Sequence, residues 1–117
     1  MEPRFGVTFL IEAEQEYHNL DGSIKPQVKK ALVKLSHSGD TLGVALHNNA
    51  FNKLAGCRKV KLRKAGIRIV YRISPDQTVN ILQIIAIGKR ADHEVYEDAD
   101  QRLKQELQIK SNLRQIE

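Results

Sequence analysis

The sequence CRKVKLRKAGIRIVYRI at residues 57–73 predicts two antiparallel strands joined by a tight turn. Side chains alternate between the two faces along a strand, so each strand can be sorted into two sets. The apolar set contains Val60, Leu62, Ile67, Ile69, Tyr71 and Ile73. The opposite set is mostly cationic and contains Lys59, Lys61, Arg63, Arg68, Val70 and Arg72. We therefore expect a sheet with one apolar face and one open, cationic face.

The register of this hairpin follows from its turn. A two-residue turn at Ala65-Gly66 pairs Lys61 with Val70 and Leu62 with Ile69. A slip of one residue would instead bring Lys61 into the core opposite Ile69. The two-residue turn is therefore the expected register.

A third strand and a helix are predicted to follow the hairpin. Residues 79–87 are almost entirely apolar, which is typical of a central strand covered on both faces. The turn residues at 74–76 separate it from the second strand. Asp92 can cap a final helix, whose apolar stripe has a spacing of four residues and consists of Val95, Ala99, Leu103 and Leu107.

The first half of the chain predicts a strand followed by two amphipathic helices. The expected elements are a strand at 4–11, a helix from Glu12 to Asp21-Gly22, a helix from Pro26 to about His37, and a connection at 38–56 with one helical turn around Leu42–Leu46. The sequence therefore predicts one α+β domain over residues 1–117. A small antiparallel sheet of about four strands should pack against the N-terminal helices, with a further helix at the C-terminus.

Composition indicates a globular protein of the cytoplasm. The 117 residues are 41% hydrophobic, enough for one modest core. The single cysteine, Cys57, excludes an internal disulfide and favours a reducing compartment. We expect neither a signal peptide nor a membrane span, because the longest apolar run is far shorter than the roughly 20 residues that a span needs.

Charge is unevenly distributed along the chain. The formal net charge is +5, but residues 41–90 alone contain ten Lys or Arg and one acid, Asp76. Such a segment suits a polyanionic partner, because neutralised phosphates supply most of the affinity for nucleic acids. A basic sheet that only discourages aggregation is the simpler alternative.

The cationic face has the groups that metal-free RNA cleavage needs. The 2′-hydroxyl of RNA is the nucleophile, so the protein must supply a base, cations for the developing charge and an acid for the leaving oxygen. Lys61 is a candidate base, since neighbouring cations favour its neutral amine. Arg68 and Arg90 could stabilise the charge, and Tyr96 could stack on a base or orient the hydroxyl. The four histidines lack paired ligand spacing, so no metal or other cofactor is expected.

The hairpin, followed by IIAIGKRADHEVYEDADQRL at residues 84–103, resembles the RelE group of the RelE/ParE superfamily. These are bacterial toxins of type II toxin–antitoxin modules. The resemblance implies the RelE-like microbial RNase fold and a ribosome-dependent endoribonuclease that cuts mRNA in the A site and leaves a 2′,3′-cyclic phosphate. It also implies a RelB-like antitoxin and a hetero-oligomeric toxin–antitoxin complex, with the 70S ribosome and mRNA as further partners.

The resemblance assigns roles to individual residues. It implies that Lys61 is the general base, that Arg68 steadies the transition state, that Arg90 is the leaving-group acid or a charge stabiliser, and that Tyr96 completes the catalytic set. The residues expected to bind substrate RNA are Lys59, Arg63, Arg72 and Lys89.

Two other functions remain open from the sequence. ParE-type toxins of the same superfamily poison gyrase without the catalytic set, and Lys61, Arg90 and Tyr96 together argue against that activity. A non-catalytic RNA-binding module would use the cationic face for affinity alone. The antitoxin could either occupy a groove beside the sheet or displace the C-terminal helix.

Overall fold

The computed structural model describes residues 3–49, 53–73, 81–89 and 92–116, with the side chains of the last helix described at 94–106. The elements are β1 Gly6–Phe9, α1 Ile11–His18, α2 Lys25–Leu42, β2 Val44–Ala45, β3 Cys57–Leu62, β4 Ile67–Ile73, β5 Ile81–Gly88 and α3 Asp92–Ile116. None of the helices in these ranges is long and apolar enough to cross a membrane.

The five strands form one sheet in the order β1-β5-β4-β3-β2. β1 is parallel to β5, and the other neighbouring pairs are antiparallel. Helices α1 and α2 pack on one face, and α3 packs on the other. The predicted α+β class is therefore confirmed, with five strands rather than about four.

The additional strand, β2, lies where a helical turn was expected around Leu42–Leu46, so that prediction is wrong. Helix α2 does not end near His37 but continues to Leu42 after a break at Ser38, whose φ is −140° and ψ 30°. The hydroxyl of Tyr71 donates a hydrogen bond of 2.7 Å to the Gly39 carbonyl just past this break. This contact comes from β4 and could not be inferred from the local sequence.

The register of the β3–β4 hairpin is also different from the predicted one. Lys61 pairs with Arg68, and Leu62 pairs with Ile67. The connection therefore has four residues rather than two, and Gly66 closes it with a φ of +69° that suits glycine. Because the register differs by two residues, every side chain keeps its predicted face.

Two apolar layers lie on either side of the sheet. Ile67, Ile69 and Tyr71 of β4 are fully buried against α1 and α2, as the alternation predicted. On the other face the layer beneath α3 is made of residues that include Cys57, Val70, Ile85, Ala86, Val95 and Ala99. The cationic face is consequently not open along its whole length, since α3 covers part of it. The predicted strand residues 79–80, the turn at 74–76 and the side chains of Asp92 and Leu107 lie outside the described part of the chain.

A partly buried ion pair joins α1, α3 and β5. Arg102 contacts Glu16 at 2.8 Å, and the two side chains are 14% and 23% exposed. Burial alone would lower the pKa of Arg102, but the bonds to Glu16 outweigh it and leave the pKa raised. The pair also satisfies the backbone of β5, since Arg102 donates to the Ile85 carbonyl and Glu16 accepts from the Ile87 amide.

Asp100 gives α3 a second polar attachment and supports a pH-dependent prediction. It is 4% exposed, accepts a hydrogen bond from the Lys53 amide at 3.0 Å and contacts Lys104 at 2.9 Å. Burial by itself would raise the pKa of Asp100, but these donors outweigh it and lower the pKa. Asp100→Asn should reduce the free energy of unfolding at pH 7 by about 1 kcal/mol, measured by urea denaturation.

The sign of the pH effect follows from the lowered pKa. The stabilisation by the carboxylate is present above the pKa of the unfolded state and is lost as the pH falls through the folded-state pKa. The stabilities of wild type and Asp100→Asn should therefore converge in acid. Glu97→Gln, an exposed neutralisation on the same helix, is the control. A difference that stays constant from pH 7 into acid would contradict this account.

Gly88 is required by the close approach of α3 to the end of β5. A Cβ at Gly88 would lie 2.8 Å from Cγ2 of Val95, a branched side chain that cannot move aside easily.

Gly88→Ala should destabilise the protein by about 1–3 kcal/mol, and adding Val95→Ala should recover part of this loss. Urea denaturation of a double-mutant cycle measures the coupling. Gly6→Ala, whose Cβ would meet nothing within 4 Å, is the control; strictly additive effects of the Gly88 and Val95 changes would refute the contact.

Candidate active site

Lys61 and Arg68 are brought together by the pairing of β3 with β4. They are direct partners in the register, and Arg68 is in turn the partner of Gly88 on β5. Partners on neighbouring strands direct their side chains to the same face. Lys61 is exposed and Arg68 is half-buried, with its Nη1 donating a 3.2 Å hydrogen bond to the Gly66 carbonyl. The predicted base and the predicted charge stabiliser are thus neighbours on one face of the sheet.

Tyr96 joins this group from α3. The Nζ of Lys59, two residues before Lys61 on β3, lies 5.5 Å from the centre of the Tyr96 ring, which is a cation–π distance. The Tyr96 hydroxyl is buried and has no hydrogen-bond partner among the described residues. In this conformation the ring, rather than the hydroxyl, is the part of Tyr96 available to a ligand.

The start of α3 is fixed against the end of β5. Val95, next to Tyr96, packs directly on Gly88, and the exposed Lys89 follows Gly88. This packing sets how far Tyr96 stands from the row formed by Lys61 and Arg68. Arg90, the remaining predicted catalytic residue, lies outside the described residues, and so do the details of its environment.

A small cavity lies beside this row. Its volume is about 180 Å³, and it is lined by Lys61, Leu62, Arg63, Gly66, Ile67 and Arg68. Three of these six residues are cations and none is an acid. Cations that converge on a small cavity favour an anion there, and they can stabilise charge that develops on a phosphate.

The predicted RNA-binding residues lie in different surroundings. Lys59 and Lys89 lie close to the row, and Arg63 belongs to the loop after β3 and is exposed. Arg72 lies farther along β4 beside α3. It donates to Glu106 at 2.6 Å and to Gln83 at 2.8 Å, so its charge already has an acidic partner within the fold.

The residues that hold α3 in place were not identified from the sequence. Glu106 and Gln83 engage Arg72, and Glu16 engages Arg102 from 86 positions away. An acid among other acids on a helix gives no local signal of such a role. In the described ranges, no group of three His, Cys, Asp or Glu side chains is arranged to hold a metal ion.

Comparison with known proteins identifies relatives over most of the chain. No protein-family model matches it. A RelE-like toxin protein of Escherichia coli is 32% identical over 101 residues, which cover 86% of this chain and 99% of the relative. The mRNA interferase toxin RelE of E. coli K12 is 32% identical over 91 residues, covering 78% of this chain and 88% of the relative.

Comparison with solved structures points to the same family as these sequence relatives. A doubly substituted E. coli RelE toxin in the free state matches with a TM-score of 0.67 and 29% identity, covering 86% of this chain and 98% of that one. A toxin chain in the RelBE-type toxin–antitoxin complex of Mycobacterium tuberculosis matches with a TM-score of 0.60 and 27% identity, covering 79% of this chain and 97% of that one. The shared sequence over nearly the full length of these relatives, together with the shared fold, shows that the chain belongs to the RelE family of bacterial toxins.

Proposed function

We propose that the chain is the toxin of a type II toxin–antitoxin module and cleaves mRNA in the ribosomal A site as a ribosome-dependent, metal-independent endoribonuclease. The observation that carries this proposal is the placement of Lys61 next to Arg68, with the Lys59–Tyr96 pair on the same face. The name of the E. coli relative, an mRNA interferase, supports the same activity.

The proposed reaction uses the RNA's own 2′-hydroxyl. Lys61 accepts the proton of this hydroxyl as the 2′-oxygen forms a bond to the adjacent phosphorus. The bond from phosphorus to the 5′-oxygen breaks, which leaves a 2′,3′-cyclic phosphate on one fragment. Arg68 and Arg90 stabilise the charge that develops on the phosphate oxygens, and Arg90 is also the candidate donor of the proton that the leaving 5′-oxygen takes up.

The neighbouring residues bind the substrate. The ring of Tyr96 can stack on a base, which is how proteins often hold single-stranded RNA. Lys59, Arg63 and Lys89 surround the row and can contact phosphates. We leave Arg72 out of this contact surface, because its guanidinium is paired with Glu106.

An antitoxin and the ribosome are the proposed partners. Relatives of known structure are described as complexes of RelE with the antitoxin RelB, so a RelB-like protein that forms a hetero-oligomer with this chain is the expected inhibitor. The 70S ribosome and its mRNA are the proposed target, which implies activity in the cytoplasm.

Substitution of Lys61 tests the general base. Lys61→Ala and Lys61→Arg should both lower the rate of single-turnover cleavage by about 10²–10⁴-fold, because arginine keeps the charge but does not accept a proton at neutral pH. The measurement is primer extension on a defined mRNA, with programmed ribosomes and without them. A cut in the A-site codon that needs both ribosomes and Lys61 is the expected result.

The control for this experiment is Lys64→Ala, which removes a nearby exposed cation from the hairpin loop. Wild-type cleavage by Lys61→Arg would show that Lys61 acts by charge alone. RNA binding without any cut would favour the non-catalytic binding module, and the absence of both would favour a gyrase target. Urea denaturation should show that each variant unfolds cooperatively, with a stability within about 0.5 kcal/mol of wild type.

Tyr96 is tested by separating its ring from its hydroxyl. Tyr96→Phe should retain cleavage within about threefold, whereas Tyr96→Ala should slow it by about 5–150-fold, because stacking is worth about 1–3 kcal/mol per base. Tyr96→Phe should also be at least as stable as wild type, since it removes a buried hydroxyl without a described partner. Equal losses of cleavage in both variants, measured in the same primer-extension experiment, would assign the role to the hydroxyl.

A further inference from the structure

We infer that residues 53–57, which lead into β3, form a supporting segment for cleavage: Leu54 and the backbone amide of Lys53 hold α3 so that the Tyr96 ring stands beside Lys59. This inference rests on the proposed function and goes beyond it, because Leu54 and Lys53 lie outside the row formed by Lys61 and Arg68. Leu54 is thus a positioning residue that acts on cleavage through Tyr96.

The supporting segment and the strand that follows it meet α3 at two points. The Lys53 amide donates a hydrogen bond of 3.0 Å to Oδ1 of Asp100. Farther along the same stretch of chain, Nζ of Lys59 lies 5.5 Å from the centre of the Tyr96 ring. Asp100 follows Tyr96 by four residues, so the two side chains lie on the same side of the helix, about 6 Å apart along its axis. The hydrogen bond therefore fixes α3 one turn away from the ring.

Leu54 supplies the apolar part of this contact. Its side chain is 2% exposed and belongs to the layer beneath α3, together with Val95 and Ala99 of the helix. Tyr96 packs against the same layer. Truncation of Leu54 would leave a cavity in the layer, and the surrounding side chains would relax into it in part. Because Val95 and Tyr96 are adjacent on α3, this relaxation would change the position of the ring.

The supporting segment has hydrogen bonds that fix its shape independently of α3. The Cys57 amide donates a hydrogen bond of 3.0 Å to the Leu54 carbonyl. Gly56 lies between them with a φ of +91°, which suits glycine. The Ala55 amide donates a hydrogen bond of 3.0 Å to Oδ1 of Asn48. A segment with such bonds of its own can serve as a support for a helix, whereas a loop ordered by the helix alone would move with it.

Two other attachments of α3 reach different strands. Val95 packs on Gly88 of β5, and Glu106 binds Arg72 of β4. The supporting segment instead leads directly into β3, the strand that carries Lys59. The distance between the Tyr96 ring and the cations of β3 therefore depends on this segment as well as on β4 and β5.

The position of the ring should affect the rate of cleavage more than the binding of the toxin. A base that stacks on Tyr96 orients the adjoining 2′-hydroxyl and phosphate, and a misplacement of about 1 Å can slow a reaction by about 10²-fold. Programmed ribosomes hold the mRNA themselves, so a displaced ring changes the affinity little. A change at Leu54 should therefore lower the maximal rate and leave the half-saturating toxin concentration unchanged.

The kinetic test is a double-mutant cycle of Leu54→Ala and Tyr96→Ala, measured by single-turnover primer extension with excess toxin over programmed ribosomes. Leu54→Ala alone should lower the maximal rate by about tenfold and leave the half-saturating toxin concentration within about twofold of wild type. In the Tyr96→Ala background it should change the maximal rate by less than about twofold, because the ring that it positions is gone. Leu54→Met nearly conserves the volume and should restore the maximal rate to within about threefold of wild type.

Leu32→Ala is the matched control for the truncation. Leu32 is 8% exposed and belongs to the apolar layer on the opposite face of the sheet. Its truncation should change the maximal rate by less than about twofold in either background. Urea denaturation identifies a temperature at which each variant is folded, and all rates are measured there. If Leu54→Ala does not fold, the smaller truncation Leu54→Val takes its place and should lower the maximal rate in the presence of the Tyr96 ring only.

A second measurement reports the position of the ring without ribosomes. The ring current of Tyr96 shifts the NMR signals of the Lys59 ε-methylene protons, and Tyr96→Ala gives the reference values without the ring. Leu54→Ala should move these signals toward the reference, whereas Leu32→Ala should leave them at their wild-type values. If the wild type cleaves no mRNA, the proposed function fails, and these signals still decide whether Leu54 positions the ring.

Three results would overturn the inference. The first is an equal loss of maximal rate from Leu54→Ala in the presence and absence of the Tyr96 ring. The second is an equal loss from Leu54→Ala and Leu32→Ala, which would indicate general destabilisation. The third is a change in the Lys59 signals without a change in the maximal rate, or the reverse, since either would separate the position of the ring from cleavage.

Discussion

The ion pair between Glu16 and Arg102 links helix α1, helix α3 and strand β5. β1 pairs with β5 only from Ile81 to Ile84, so the second half of β5 has no strand on that side among the described residues. Glu16 and Arg102 take the place of a strand there by binding the Ile87 amide and the Ile85 carbonyl. Removing either partner of such a pair leaves a poorly solvated charge, which costs more than the pair itself contributes. The contact therefore secures α1, α3 and β5 at once.

The geometry of the candidate site depends on this arrangement. β5 ends at Gly88, beside Arg68, and α3 carries Tyr96 back over the sheet to Lys59. The cations on the strands are held by backbone pairing, which fixes their spacing even though they repel each other. The aromatic ring is held by a helix that has its own contacts to β4 and β5. Cations and ring thus belong to different elements, and their relative position is set by the layer packed between them.

The features predicted correctly from the sequence are those determined by alternation. Ile67, Ile69 and Tyr71 had to share a face opposite Lys61 and Arg68, and a register error of two residues left that result unchanged. The features that were missed depend on distant residues. Tyr71 holds the end of α2 beyond Ser38, and Glu106 engages Arg72 across 34 positions. The covering of part of the cationic face by α3 follows from packing that no local pattern reveals. Four residues predicted for the site lie together on one face of the sheet: Lys59, Lys61, Arg68 and Tyr96. Arg72 is instead paired with Glu106 of α3.

The order of the strands has a consequence for the cell that makes this protein. The first strand in the sequence has its place beside the last one, so β1 cannot be paired until β5 has left the ribosomal tunnel. Tyr96 and the anchoring Arg102 follow later still. Pairing of strands that are distant in sequence is slow, because the loop between them must first be closed. A nascent chain therefore has no assembled candidate site until β5 and the part of α3 that carries Tyr96 and Arg102 have left the tunnel.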